Sequence, residues 1–86
     1  MKVDMHFHTN HSDGAATVDQ VLNMTRELLI GVAITDHNEI SGSLEAYEKK
    51  KKTDFIIPGI EVKSIEYVDV LFYFYDIDEM KRFFER

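Results

Sequence analysis

Cysteine is absent from the 86-residue chain, and with it go disulfides, thiolate metal sites and thiol nucleophiles. No apolar run approaches the roughly 18 residues of a membrane span. The first residues, Met1–Asp4, lack the long apolar stretch of a signal peptide. The expectation is a soluble, cytoplasmic protein that does not enter a membrane. Basic residues are in short supply: ten Lys and Arg face sixteen Asp and Glu, a formal net charge of −6. A passive nucleic-acid binder is normally basic, so nucleic acid is expected only as a substrate. The one basic run, Lys49–Lys52, is local and reads as a solvated helix end. Length is limiting as well. The chain is expected to form one domain, 1–86, and is far too short for a complete eight-stranded α/β barrel of about 250 residues. What is present is a globular composition, 44% hydrophobic and 30% charged. Its excess of carboxylate suits a protein that offsets its own charge with bound cations.

Strands and helices alternate along the chain. Lys2–His8 reads as a strand, with His6 and His8 two apart and therefore on one face. His8–Gly14 is turn-rich. Thr17 and Gln20 form a capping box. Behind it Val18, Val21, Leu22, Thr25, Leu28 and Leu29 recur at helical spacing, and Gly31 is a suitable stop. Val32–Thr35 reads as a buried strand, ending at Asp36-His37-Asn38. Ser41 or Ser43 caps a second helix reaching about Lys52, with Glu45/Lys49 and Glu48/Lys52 in the favourable i, i+4 order. Phe55–Ile57 reads as a third strand ended by Pro58-Gly59, and Ile60–Val62 continues extended. Val68–Tyr75 is apolar on alternate residues of both faces and predicts a strand buried on both sides. Asp78 caps a last helix with Met80, Phe83 and Phe84 on its apolar face. The order is roughly β-α-β-α-β-β-α, an α/β fold with a mainly parallel sheet.

All four histidines fall in two places: His6, His8 and His11 around the first strand, and His37 after the second. Carboxylates accompany them: Asp4 and Asp13, then Asp36, with Glu61 after the third strand. In a parallel sheet the C-terminal strand ends share one edge, where ligands bind. His8, His37 and Glu61 should therefore converge. Imidazole and carboxylate are ligands that divalent Zn, Mn or Fe accept, and three of them leave coordination positions open for water. Each motif alone has a plainer explanation. Asp13-Gly14 is also an ordinary turn, Asp36–Asn38 a helix-start cap, and Glu61 a rim charge.

Taken together, Asp4-Met5-His6-Phe7-His8-Thr9, Ser12-Asp13-Gly14, Ile34-Thr35-Asp36-His37-Asn38 and Ile57-Pro58-Gly59-Ile60-Glu61 resemble the opening motifs of the PHP family, the polymerase and histidinol phosphatase domains. The resemblance runs from the N-terminus to about residue 75. It implies part of a distorted (β/α) barrel with up to three metal ions at its C-terminal rim. It implies that His6 and His8 bind one ion with Glu61, that Glu61 bridges to a second, and that His37 holds a third with help from Asp13. Asp4 and Asp36 would orient imidazoles, and His11 falls at a variable position. Family members usually carry a histidine in the strand after Gly-x-Glu. Here the nearest counterpart is Asp69, a carboxylate that still ligates Zn or Mn. The family's later histidine and C-terminal Asp-x-His motif have no positions in these 86 residues.

The activity implied is metal-dependent hydrolysis of phosphate esters by metal-activated water, with His6, His8, His37 and Glu61 at its centre. The substrate would be a phosphorylated small molecule or nucleotide. The alternatives are a non-catalytic metal-binding or interaction module, and the N-terminal fragment of a longer enzyme. A homo-oligomer, most simply a dimer, is also expected. Val68–Tyr75 is apolar on both faces, and only three helices are available to cover about four strands.

Overall fold

Val32, Ala33 and Ile34 form an uninterrupted apolar run, and each is fully buried. The computed structural model describes residues 2–63, 66 and 68–85 and places this run in the interior of a four-stranded sheet. The elements are β1 (Val3–Phe7), α1 (Val18–Leu28), β2 (Gly31–Ile34), α2 (Ser41–Lys49), β3 (Ile56–Lys63), β4 (Asp69–Tyr73) and α3 (Ile77–Phe84). The sheet order is β1-β2-β3-β4. β1 and β3 both run parallel to β2, whereas β4 returns antiparallel to β3. The expected element order and mainly parallel sheet are therefore observed.

Helical periodicity builds the core on one side of this sheet. Val18, Val21 and Leu22 of α1 and Ala46 of α2 pack on Val32, Ile34 and Ile56. A second cluster joins Ile40, Ile60 and Met80, with Phe72, Phe74 and Phe83 against it, and fastens α3 to β3 and β4. The opposite face is concave. The hydroxyl of Tyr73 on β4 donates to the carbonyl of Met5 on β1. Neighbouring strands lie about 4.8 Å apart, so in a flat sheet β1 and β4 would be beyond the reach of a tyrosine side chain. The sheet curls into part of a barrel. Among the described residues no helix is long and apolar enough to cross a membrane.

Several local expectations are corrected. Gly31 does not stop α1. Leu29 takes the left-handed C-cap position at φ 57°, and Gly31 opens β2, where an added Cβ would lie 3.0 Å from Phe55. Neither Ser41 nor Ser43 caps α2. Glu39 accepts from the N–H groups of Ile40 and Ser41 at 2.9 and 3.0 Å, while Ser43 is buried and donates to the carbonyls of Ile34 and Gly59. α2 ends at Lys49, which keeps its ion pair with Glu45 at 2.8 Å, and Lys52 lies beyond the helix. Pro58-Gly59 does not end the third strand either. Pro58 has no N–H to donate, and it stands on β3 between two partners: Ile34 of β2 is its counterpart, and its carbonyl accepts from Phe74. The cap of α3 is Asp76, which accepts from the N–H of Glu79 at 2.8 Å, rather than Asp78. β4 is not buried on both faces. It is an edge strand, α3 covers only its Phe72 side, and Val68, Val70, Tyr73 and Tyr75 are exposed.

The bottom of the sheet is held by a near-buried ion pair. Asp54, just before β3, takes hydrogen bonds from Arg26 in the last turn of α1 at 2.7 to 3.2 Å and from the N–H of Lys51 at 2.8 Å. The Arg26 guanidinium holds the Asp54 carboxyl below its ordinary value of 3.8, outweighing the opposing effect of burial. A carboxyl depressed in the folded state stabilises above its unfolded pKa and loses that contribution as pH falls. Asp54→Asn is expected to cost about 2 kcal/mol at pH 7 and much less at pH 3. Urea unfolding at both values measures this, and an equal loss at both would assign Asp54 a packing role instead.

Candidate metal centre

The parallel ladders set the site. β1, β2 and β3 end at one edge, and the chain beyond β2 keeps pairing with β3: His37 bridges Glu61, Asn38 N–H donates to the Glu61 carbonyl at 2.8 Å, and Glu61 N–H donates to the Asp36 carbonyl at 3.1 Å. Asn38 adopts φ 51°, which asparagine tolerates, and its side chain accepts from the N–H of Lys63 at 3.1 Å. In β1 the register shifts between Asp4 and Phe7. Met5 and His6 together oppose the single residue Ala33, a β-bulge.

Glu61 is 4% exposed, and His6 Nε2 and His8 Nε2 each lie 2.7 Å from its Oε1. His8 also places Nδ1 2.8 Å from Asp13, and His37 Nε2 lies 3.1 Å from the other oxygen of Asp13. The His8 and His37 rings stand 4.3 Å apart, centroid to centroid. Three overlapping donor groups result: His6–His8–Glu61, His8–Asp13–His37 and His37–Glu61–Asp69, with the donor atoms of each within 4.8 Å of one another. Every residue expected at the site from the sequence is thus brought to it: His6, His8, Asp13, His37, Glu61 and Asp69.

Burial raises the Glu61 carboxyl, but hydrogen bonds from His8 and His6 and the nearby His37 outweigh it and hold the group below its ordinary range. Asp13 follows the same pattern, with partial desolvation opposed by His8 and His37. The donor set is nitrogen and oxygen only, which suits a borderline or hard divalent cation. His37 Nδ1 is buried and has no hydrogen-bond partner among the described residues, and a buried polar atom of that kind calls for a ligand. Glu61 and Asp69 bring two carboxylates into one donor group, and a side-chain hydrogen bond from Asp69 helps to hold the Glu61 carboxyl down, a shared proton whose place a cation would take. The residues fit divalent metal ions.

Two of the supporting carboxylates act differently from the expectation. Asp36 is fully buried, and its described hydrogen bonds come from Thr9 N–H at 2.6 Å, Thr9 Oγ1 at 2.7 Å and Ser12 Oγ at 2.8 Å. It fastens the loop that carries Asp13 rather than orienting an imidazole. Asp4 accepts from the backbone N–H of His6 at 3.1 Å and so supports the bulge. His11 turns away to Glu45 at 2.8 Å. Thr9 and Ser12 stand within the motifs that carry the resemblance but have no role assigned by it, and Tyr73 reads only as a strand residue. Gly42 gave no signal, yet a Cβ there would lie 2.3 Å from Asp36 Oδ2. The need for Gly14 is equally steric: its Cβ would meet the His8 carbonyl oxygen at 2.1 Å.

Four proteins similar to this chain carry hydrolase names. The 5'-3' exoribonucleases Rnm of Escherichia coli and Salmonella typhimurium are each 32% identical to the chain over 66 residues, 72% of this chain. The match spans only 22% of either relative. Among solved structures, a protein of Bifidobacterium adolescentis assigned as a metal-dependent phosphoesterase superposes with a TM-score of 0.69 at 34% identity, over 81% of this chain and 26% of its own. An amidohydrolase of Chromobacterium violaceum superposes with a TM-score of 0.67 at 30% identity, over 83% of this chain and 26% of its own. The PHP domain profile matches residues 4–83. Motifs, sheet, donor groups and profile agree: the chain belongs to the PHP domain family.

Proposed function

We propose that the chain carries the metal-binding face of a phosphoesterase and that its chemistry is hydrolysis of a phosphate ester. The observation that supports this most directly is the convergence on Glu61. A buried carboxylate meets two imidazoles at 2.7 Å and belongs to two of the three donor groups. In this reading His6 and His8 hold one divalent ion with Glu61, Asp69 and His37 share Glu61 for a second, and His8, Asp13 and His37 supply a third. Zn, Mn and Fe all match the donor chemistry. When bound, such ions supply Lewis acidity, acidifying water and neutralising charge on phosphoryl oxygens. The protein's own part is to fix the donors: bulged β1 aims His6, the His37–Glu61 bridge sets two ligands side by side, and the loop tied to Asp36 holds Asp13. The substrate would be a phosphorylated small molecule, a nucleotide or the phosphodiester of a nucleic acid, in line with the phosphoesterase and exoribonuclease named among its relatives.

A second reading, metal binding without turnover, is supported by the open concave face. Tyr73 is 38% exposed there, whereas metal-assisted hydrolysis works best in a dry, shaped cavity. The exposed Tyr73 and Tyr75, with Val70 on β4 and Val68 just before it, support self-association of the chain.

Protein purified without chelator is expected to carry divalent metal by mass spectrometry, and His6→Ala with His8→Ala to lose at least about 10-fold of it. Equal and negligible metal in both would remove the reading. The metal-loaded 86-residue chain is expected to cleave a generic aryl phosphate slowly, with Glu61→Ala abolishing that rate. Metal uptake without any turnover would favour the second reading. Sedimentation equilibrium at micromolar concentration is expected to show a dimer, and a folded 10 kDa monomer would show that the exposed face needs no partner.

A further inference from the structure

Tyr73 lies at the end of β4, in register with Gly59 of β3, and β2 and β3 separate its strand from β1. Its hydroxyl nonetheless donates to the Met5 carbonyl on β1. The acceptor is well defined by its setting. Met5 and His6 form the bulge, where the β1–β2 register is interrupted, and a bulge leaves backbone groups outside the regular ladder. Side chains meet two of these groups: Asp4 accepts from His6 N–H at 3.1 Å, and Tyr73 donates to Met5 C=O. Both groups belong to one peptide unit, the one that leads into His6, which is half exposed and whose Nε2 lies 2.7 Å from Glu61. Little packing holds that imidazole, so its direction depends on the backbone beneath it.

We propose that Tyr73 is a positioning residue for the donor group His6–His8–Glu61: its hydroxyl locks the β1 bulge and thereby aims His6 at Glu61. The proposal rests on the metal-binding reading above and adds to it a residue that touches none of the ligands' donor atoms. Tyr73 also links the two edge strands of the sheet, so Asp69 on β4 and His6 on β1 are held to one spacing across the concave face.

The test is a double-mutant cycle read by Mn2+ affinity, using competition with a chromophoric chelator on wild type, Tyr73→Phe, His6→Ala and the double variant. Tyr73→Phe keeps the ring and removes only the hydroxyl. It is expected to weaken Mn2+ binding about 10-fold in the wild-type background, the scale of losing a supporting hydrogen bond behind a metal ligand, and to add nothing once His6 is alanine. Hydrogen exchange at the His6 amide is expected to quicken in Tyr73→Phe. Unchanged affinity, or the same loss in both backgrounds, overturns the proposal. Should Tyr73→Phe fail to fold, Asp4→Ala releases the bulge from its other side. It is expected to weaken Mn2+ likewise, and unchanged affinity there overturns the proposal too. Absence of Mn2+ uptake by wild type would remove the metal-binding reading itself, and this proposal with it. Normal wild-type uptake with an insensitive Tyr73→Phe would remove this proposal alone.

Discussion

A carboxylate at the end of a buried strand must find positive charge or hydrogen-bond donors, or it destabilises the fold that buries it. Glu61 is that carboxylate, 4% exposed on β3, and much of the surrounding architecture meets its demand. β1 delivers two imidazoles to it through a bulge, and the chain leaving β2 delivers a third alongside through continued backbone pairing. Parallel strands bring such groups together because their C-terminal ends share one edge. Binding geometry and fold stability therefore rest on the same contacts.

The Asp13 loop shows how a short, polar segment is made rigid without a hydrophobic anchor of its own. A fully buried carboxylate, Asp36, gathers three donors from Thr9 and Ser12, while the N–H groups of Ser12 and Gly14 converge on the Thr9 carbonyl at 3.1 and 3.0 Å. Two glycines permit the close approach: Gly14 lies against the His8 backbone and Gly42 against Asp36. A buried polar network that is fully satisfied specifies one arrangement where apolar packing would allow several.

The site was more legible in the sequence than the details of its frame. His6, His8, Asp13, His37 and Glu61 occupy short motifs whose chemistry is local, and Asp69 followed only from the resemblance, as the counterpart of a histidine usual in the family. The apolar spacing of α1 and the capping box of Thr17 and Gln20 were equally local, and both are present. Where reading failed, long-range geometry decided. Gly31 resembled a helix stop, but the nearness of Phe55 is what requires glycine there. Pro58 resembled a strand end because a proline cannot donate, yet β3 runs through it, paired there with Ile34 of β2 and accepting from Phe74 through its carbonyl. Asp36 resembled an imidazole partner, and only the folded loop shows that Thr9 and Ser12 claim its oxygens. Val68–Tyr75 signalled burial on both faces through composition, while its place at the sheet edge leaves one side open. Tyr73 carried no signal at all, because its acceptor is a backbone carbonyl 68 residues away.

The two partners of β3 bear on how the molecule comes together. Its lower half pairs with β2 across the long crossover of residues 35–55, and β2 pairs with β1 across residues 8–30, but its upper half pairs with β4 across residues 64–68 alone. Closing a short loop costs less chain entropy than closing a long one, and sequence-local pairings form faster than distant ones. The antiparallel hairpin is thus the least expensive part of the sheet to form, and Glu61 lies within it. His6 and His8 come with β1 and the residue after it, and His37 with the chain leaving β2, so the donor cluster is complete only once those longer-range parallel pairings have also closed.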